Sequence, residues 1–476
     1  MKTIPDFPDW LGSMVVKELR QGLKARGFVL SFVLLHAVLV IVVIFNVLDY
    51  RRSAASFSPG ALSGIFWTLI GIQLLLITPL RALNELAAER KANTLELIFL
   101  SGLSAWRITV GKWISLLFQA FLVVLAILPY AILRYYFGGV NLTEDLAVMG
   151  GTILACALVS AIALAISGLP LMARIAAMVV AIMFALSIFP MMAVAAFMGR
   201  SSGPFSGLGD LPWLIIIFDA VVSCLLALEM AAATVAPLAE NHAGRQRALA
   251  LLAWIPIPVM IALKVDTGAI GAQMFFFTVL VAILSWHHLS GVPFPLQSYC
   301  RPFRGGRALF GLPFQPGWPS AAVFLALSLL LLGLPFITLF SDNSAIWAFY
   351  VGCVVAGGAF LTATLFWVLF RRRARWPLVE QTVFLALCGA AVLLIHVGMP
   401  RKSHIGEFLP MAAVPSLAIF SMWDRPGDDW QPWLRAGGCA LGGYLLILLL
   451  LSQKYWAHYF RTCRRLGTRP APPVAS

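Results

Sequence analysis

The stretch FVLSFVLLHAVLVIVVIFNVL, residues 28–48, decides the fold. It carries no charged side chain, and roughly 20 apolar residues are enough to take a helix across a bilayer. Its apolar residues run continuously instead of alternating, which excludes a strand of a membrane β-barrel. Runs of the same kind follow at 61–80, 113–133, 146–169, 175–198 and 211–238, and again at 248–263, 268–289, 320–340, 345–370, 377–397 and 434–451. Across the whole chain 61% of residues are hydrophobic and 11% are charged. A soluble domain carries about 25% charged residues, so soluble enzymes, nucleic-acid-binding proteins and disordered chains are excluded. The sequence predicts an all-α polytopic membrane protein of about 12 transmembrane helices.

Charge sets the orientation. Cytoplasmic loops of membrane proteins are enriched in Lys and Arg. Twelve spans with a cytoplasmic N-terminus place 25 of the 34 Lys and Arg inside and 9 outside, with both termini cytoplasmic. A further short run at 408–422 contains Pro410 and Pro415 and is expected to be re-entrant or interfacial. Residues 13–26 read as an N-terminal amphipathic helix. Val15, Val16, Leu19 and Leu23 share one side, while Lys17, Arg20, Lys24 and Arg26 occupy another. Such a helix is expected to lie among lipid headgroups. The seven cysteines are scattered singly, without metal-ligand spacing, and are expected as reduced, packed thiols.

Between the second and third spans lies the one loop written as a functional element, residues 84–112. Asn93 with Glu96 has capping-box spacing, so a helix is expected from Thr94, ending at Gly102, and Ser104 is placed to cap the next helix. Leu95, Leu97, Ile98, Phe99 and Leu100 make this short helix strongly apolar between charged flanks. It wants a partner surface, which either the membrane interface or another protein can supply.

Glu89-Arg90, then Thr94-Leu95-Glu96-Leu97, Leu103-Ser104 and Gly111-Lys112 together resemble the permease subunits of ABC-2 type ABC transporters. Asn93 stands where that family usually has Gly, and Ser101-Gly102 where it often has Thr-Pro. The resemblance covers residues 13–240. It implies a six-span permease domain with an elbow helix at 13–26 and a cytoplasmic coupling helix docking on a separate ABC ATPase subunit. The coupling contacts would fall to Glu89, Arg90, Thr94, Leu95, Glu96, Leu97, Phe99, Leu103 and Ser104. It also implies a homodimer or heterodimer of permeases in the bacterial cytoplasmic (inner) membrane, with membrane lipid as a further partner, that exports its substrate. Residues 241–476 are expected to be an additional six-span membrane region.

No G-x-x-x-x-G-K-[ST] loop occurs in the chain. ATP and Mg are therefore expected on the partner ATPase, with no cofactor, metal or catalytic residue in this chain. Asp219 and Glu229, inside the sixth apolar run, leave open an ion-coupled secondary transporter. Asp424, Asp428 and Asp429 leave open a membrane-embedded transferase. The orientation itself is testable. A reporter after Ser476 should read cytoplasmic and one inserted at Gly427 external, whereas an external tail reporter would mean that 408–422 crosses as a thirteenth span.

Overall fold

The computed structural model describes residues 13–52, 59–91, 103–136, 142–167, 210–237, 240–263, scattered positions between 270 and 288, 296–338 and 430–468. The described residues are helical, with no strand among them. The expected spans at 175–198, 345–370 and 377–397 and the segment 408–422 lie outside them, as do Asp424, Asp428 and Asp429. The chain divides into two compact units, Met1–Pro237 and Leu238–Ser476.

In the first unit α1 (Ser13–Lys24) breaks at Ala25 and is followed by α2 (Arg26–Arg52). Next, α3 (Pro59–Gly71) passes through a π-helical turn, Ile72–Ile77, into α4 (Thr78–Lys91). Three long helices complete the unit: α5 (Ala105–Tyr136), α6 (Leu142–Ser167) and α7 (Asp210–Val235). One core joins Leu35 and Leu39 of α2, Phe66 and Ile70 of α3, and Val123 and Ile127 of α5. A second joins Ala82 and Leu86 of α4, Leu116 of α5, Ala161 and Leu164 of α6, and Ala227, Ala231 and Ala232 of α7. The alanines let these backbones approach closely, as apolar helices do where lipid provides no hydrophobic drive between them.

Among the described residues, six helical stretches are long and apolar enough to cross a membrane: Arg26–Phe45, Gly64–Leu86, Ala105–Leu133, Val148–Ser167 and Ile217–Val235 in the first unit, and His242–Ala262, which a turn interrupts, in the second. Their outward faces are apolar too. Leu30, Phe45, Leu154 and Leu214 are all exposed, and a surface of that composition is compatible with a lipid surround.

The π-helical turn in the second apolar run was not foreseen. There the Thr78 N–H bonds back to the Gln73 carbonyl, five residues earlier, and the Thr78 hydroxyl donates to the same oxygen at 3.1 Å. The Gln73 amide, buried, reaches Ser31 of α2 at 3.3 Å.

In the second unit the apolar run at 248–263 is not one continuous helix. It is α8 (His242–Leu252), a turn at 253–255, and α9 (Pro256–Ala262). Pro256 and Pro258 supply no N–H to carry the helix through. There follow α10 (Gln297–Cys300), 3-10 turns at Arg301–Phe303, Gly305–Ala308 and Leu312–Phe314, then α11 (Trp318–Thr338) and α12 (Trp430–Thr468). In the segment with Gly311, Pro313, Pro316 and Gly317 the 3-10 turn pairs only part of the backbone, and side chains take the carbonyls of residues 313–316. Arg247 donates to the carbonyls of Pro313 (2.9 Å) and Gln315 (2.7 Å), Asn241 to Phe314 (3.0 Å), and Tyr455 to Pro316 (3.4 Å). Tyr459 takes the Ala308 carbonyl at 2.9 Å and packs with the buried Cys300 and Cys463. Burial, then the neighbouring Cys463, pushes the Cys300 thiol up to about 12. Cys156, Cys224, Cys300 and Cys463 are all free thiols.

Asn241 caps α8 by accepting the Gly244 N–H at 3.0 Å. A Cβ on Gly244 would stand 2.7 Å from the Phe314 carbonyl oxygen. Gly244→Ala should therefore destabilise the protein by about 1–3 kcal/mol. At Gly306 a Cβ would meet open space, so Gly306→Ala should stay within about 0.5 kcal/mol. Thermal midpoints of the detergent-purified variants check both.

Candidate functional site

The loop singled out by sequence leaves α4 at Lys91 and re-enters α5 at Ala105. Thr94, Leu95, Glu96, Leu97 and Phe99 lie outside the described residues. Glu89 and Arg90 fall in the last turn of α4, Leu103 precedes α5, and the Ser104 hydroxyl accepts the Arg107 N–H at 3.4 Å as the cap of α5.

Behind this loop its two stems are tied by charge. Lys112, two turns into α5 and 2% exposed, places its ammonium 3.2 Å from Glu18 of α1 and 3.5 Å from Glu85 of α4. Glu18 is 8% exposed and also lies 3.7 Å from the exposed Lys17. Thus the three elements α1, α4 and α5 meet at one buried amine. Of the three residues that converge here, only Lys112 stands out in the sequence. Glu18 looks from sequence like part of the polar side of an amphipathic helix, and Glu85 like one charge among several in a charged stretch.

Small residues allow the approach. A Cβ on Gly111 would come within 3.2 Å of the Met14 side chain, and one on Gly22 would strike the Gln119 amide. The pairs Met14–Gly111, Glu18–Lys112 and Gly22–Gln119 ascend both helices together, so α1 runs alongside the first turns of α5 in the same direction. Met14, Val15 and Leu19 are buried, while Lys17, Arg20 and Lys24 are exposed. Met14, Val15 and Leu19 are thus covered by protein, because Gly111 and Lys112 offer α1 both space and a charge partner.

Arg81, one turn before Glu85, adds a second tie. Its guanidinium donates at 3.5 Å to the Gly22 carbonyl, which also accepts the Ala25 N–H at 3.2 Å at the C-terminal end of α1, and lies 5.2 Å from the centre of the Phe28 ring. On the other side of α5, the Trp113 indole donates to the Ala157 carbonyl of α6 at 2.9 Å. The loop stems are therefore tied to α1 and α6 as well as to each other.

The two intramembrane acids expected from sequence sit on α7. Glu229 is 5% exposed among Ala227, Leu228, Ala231 and Ala232, and Asp219 is half-buried; both engage other groups. Among the described residues no three His, Cys, Asp or Glu side chains gather as a metal site. Searches against family models, curated proteins and solved structures each find no match.

Removing one partner of a buried ion pair leaves the other charge without compensation, at about 3–5 kcal/mol. Lys112→Met should therefore destabilise the protein by that order, since it leaves Glu18 buried beside only the exposed Lys17. Glu18→Gln with Lys112→Met together should cost less than Lys112→Met alone. Thermal midpoints of the three proteins in detergent measure the difference, and equal losses would dissolve the proposed charge coupling.

Proposed function

We propose that this chain is the transmembrane permease subunit of an ATP-driven ABC-2-like transporter. It would export an unidentified substrate across a bacterial cytoplasmic (inner) membrane, with ATP hydrolysed on a separate ABC ATPase subunit. The observation that favours this reading is the buried Lys112 amine, which links both stems of the 92–102 loop to each other and to α1. A loop that receives a mechanical stroke needs stems that move as one body, and a shared buried charge supplies that rigidity.

In this reading the apolar helix expected from Thr94 docks on the ATPase through Leu95, Leu97 and Phe99. Closure of the ATPase displaces the loop, and α4 and α5 carry the displacement into the bundle with α1 attached. Such a stroke works only if the docked surfaces contact one another differently in two states. The resemblance further implies two permease chains for two ATPases, with residues 13–26 as the elbow element. The buried Glu229 favours a second reading, an ion-coupled transporter in which that carboxylate carries the ion.

The test is co-purification from native membranes in mild detergent. The wild-type chain should bring down a protein bearing a G-x-x-x-x-G-K-[ST] loop, with ATPase activity. Leu97→Asp or Phe99→Asp should lose it while still inserting, because burying a carboxylate in an apolar dock costs on the order of several kcal/mol. Retention of the ATPase by both variants would defeat the coupling assignment, and uncoupler-sensitive transport without any such partner would favour Glu229.

A further inference from the structure

Arg247 of α8 is completely buried, the largest side chain among the described residues to be so. Its Nη1 spends both hydrogens on the Pro313 and Gln315 carbonyls, and its Cζ lies 5.8 Å from the centre of the Phe324 ring. Its Nε and Nη2 have no hydrogen-bond partner among the described residues. No carboxylate pairs with it among them either. The contacts it does make are to dipoles and a ring, so they orient the cation without neutralising it.

The two idle groups are not a random pair. Nε–H and the adjacent Nη2–H point the same way along one edge of the planar guanidinium, the edge that takes two oxygens of a carboxylate or phosphate at once. The Pro313 and Gln315 carbonyls hold the opposite corner and so fix the plane of the fork. Arg247 lies toward the start of the apolar stretch His242–Ala262, and ionisable groups within such a stretch ordinarily pair or mark a ligand path. The oxyanion that a bilayer offers at the depth of a helix end is phosphate.

We propose that Arg247 is the recognition residue of an oxyanion site in the second unit, binding a phosphate group on its Nε–Nη2 edge. The phosphate is either inorganic or carried by an anionic phospholipid, and both are read by the same two N–H groups. Asn241 and Tyr455 hold the neighbouring Phe314 and Pro316 carbonyls, so the backbone that orients the guanidinium is itself tied down. This site is independent of the loop and of any ATPase.

The experiment uses the full chain, purified and washed of lipid in detergent, with the thermal midpoint read by tryptophan fluorescence. One arm titrates inorganic phosphate against chloride at matched ionic strength. The other titrates phosphatidylglycerol against phosphatidylcholine in mixed micelles. A saturable rise with inorganic phosphate supports a free oxyanion, and a rise only with phosphatidylglycerol supports a lipid headgroup. Arg247→Lys keeps the charge but loses the planar fork, so it should need roughly tenfold more ligand for the same rise. No rise in either arm overturns the proposal, and so does an Arg247→Lys titration that coincides with wild type. The wild-type titrations decide the matter even if the variant fails to fold.

Discussion

An ammonium group removed from water must be compensated where it stands, and the first unit is organised around that requirement at Lys112. Two carboxylates from different helices converge on it, at 3.2 and 3.5 Å. Burying such ions costs several kcal/mol each, which their attraction offsets only when the geometry is held. Holding it dictates much of the local architecture: Gly111 must lack a side chain, Met14 must lie against it, and α1 must run beside α5. The helix thereby trades a lipid-facing apolar side for a protein-facing one.

Elsewhere the structure is governed by backbone groups that regular helix cannot satisfy. A buried carbonyl without a partner is costly, and apolar surroundings offer no water to relieve it. The proline-rich segment before α11 presents four successive carbonyls, and Arg247, Asn241 and Tyr455 take all of them. The π-helical turn in the first unit meets the same demand differently. Thr78 gives its amide and its hydroxyl to the one Gln73 oxygen, so the backbone widens without leaving a group unpaired. Widened turns of this sort recur at functional positions in helices, and this one lies in the helix that leads toward the loop.

Continuous apolar runs were enough to read the described helices from sequence, because length and composition are local properties; the runs at 175–198, 345–370 and 377–397 lie outside the described residues. Ser104 as a cap was legible for the same reason: a hydroxyl just before a helix has a local target. The partners of Lys112 were not legible. Glu18 and Glu85 are separated from it by 94 and 27 positions in the numbering, and nothing in either neighbourhood signals a shared destination. The amphipathic pattern of 13–26 told which side of α1 is apolar but not what covers it, since lipid and protein ask for the same residues. The break at 253–255 was encoded in Pro256, yet it was hidden by a hydropathy that stays high through the turn.

Lysine and arginine solve the problem of burial in opposite ways here. An ammonium is a compact charge that needs counter-charge close by, and Lys112 has it. A guanidinium spreads its charge over a plane of five donors, so Arg247 survives burial on carbonyl dipoles at one corner and an aromatic ring nearby. That partial solution leaves a directional remainder. Carbonyls are half of a peptide dipole and cannot cancel a full charge, and the two donors they leave over share one edge and one direction. Sequence alone would treat both residues as basic groups near a helix end. Their environments make Lys112 a closed joint, in which every charge already has its opposite, and Arg247 an open one, whose chemistry is completed only by an oxyanion.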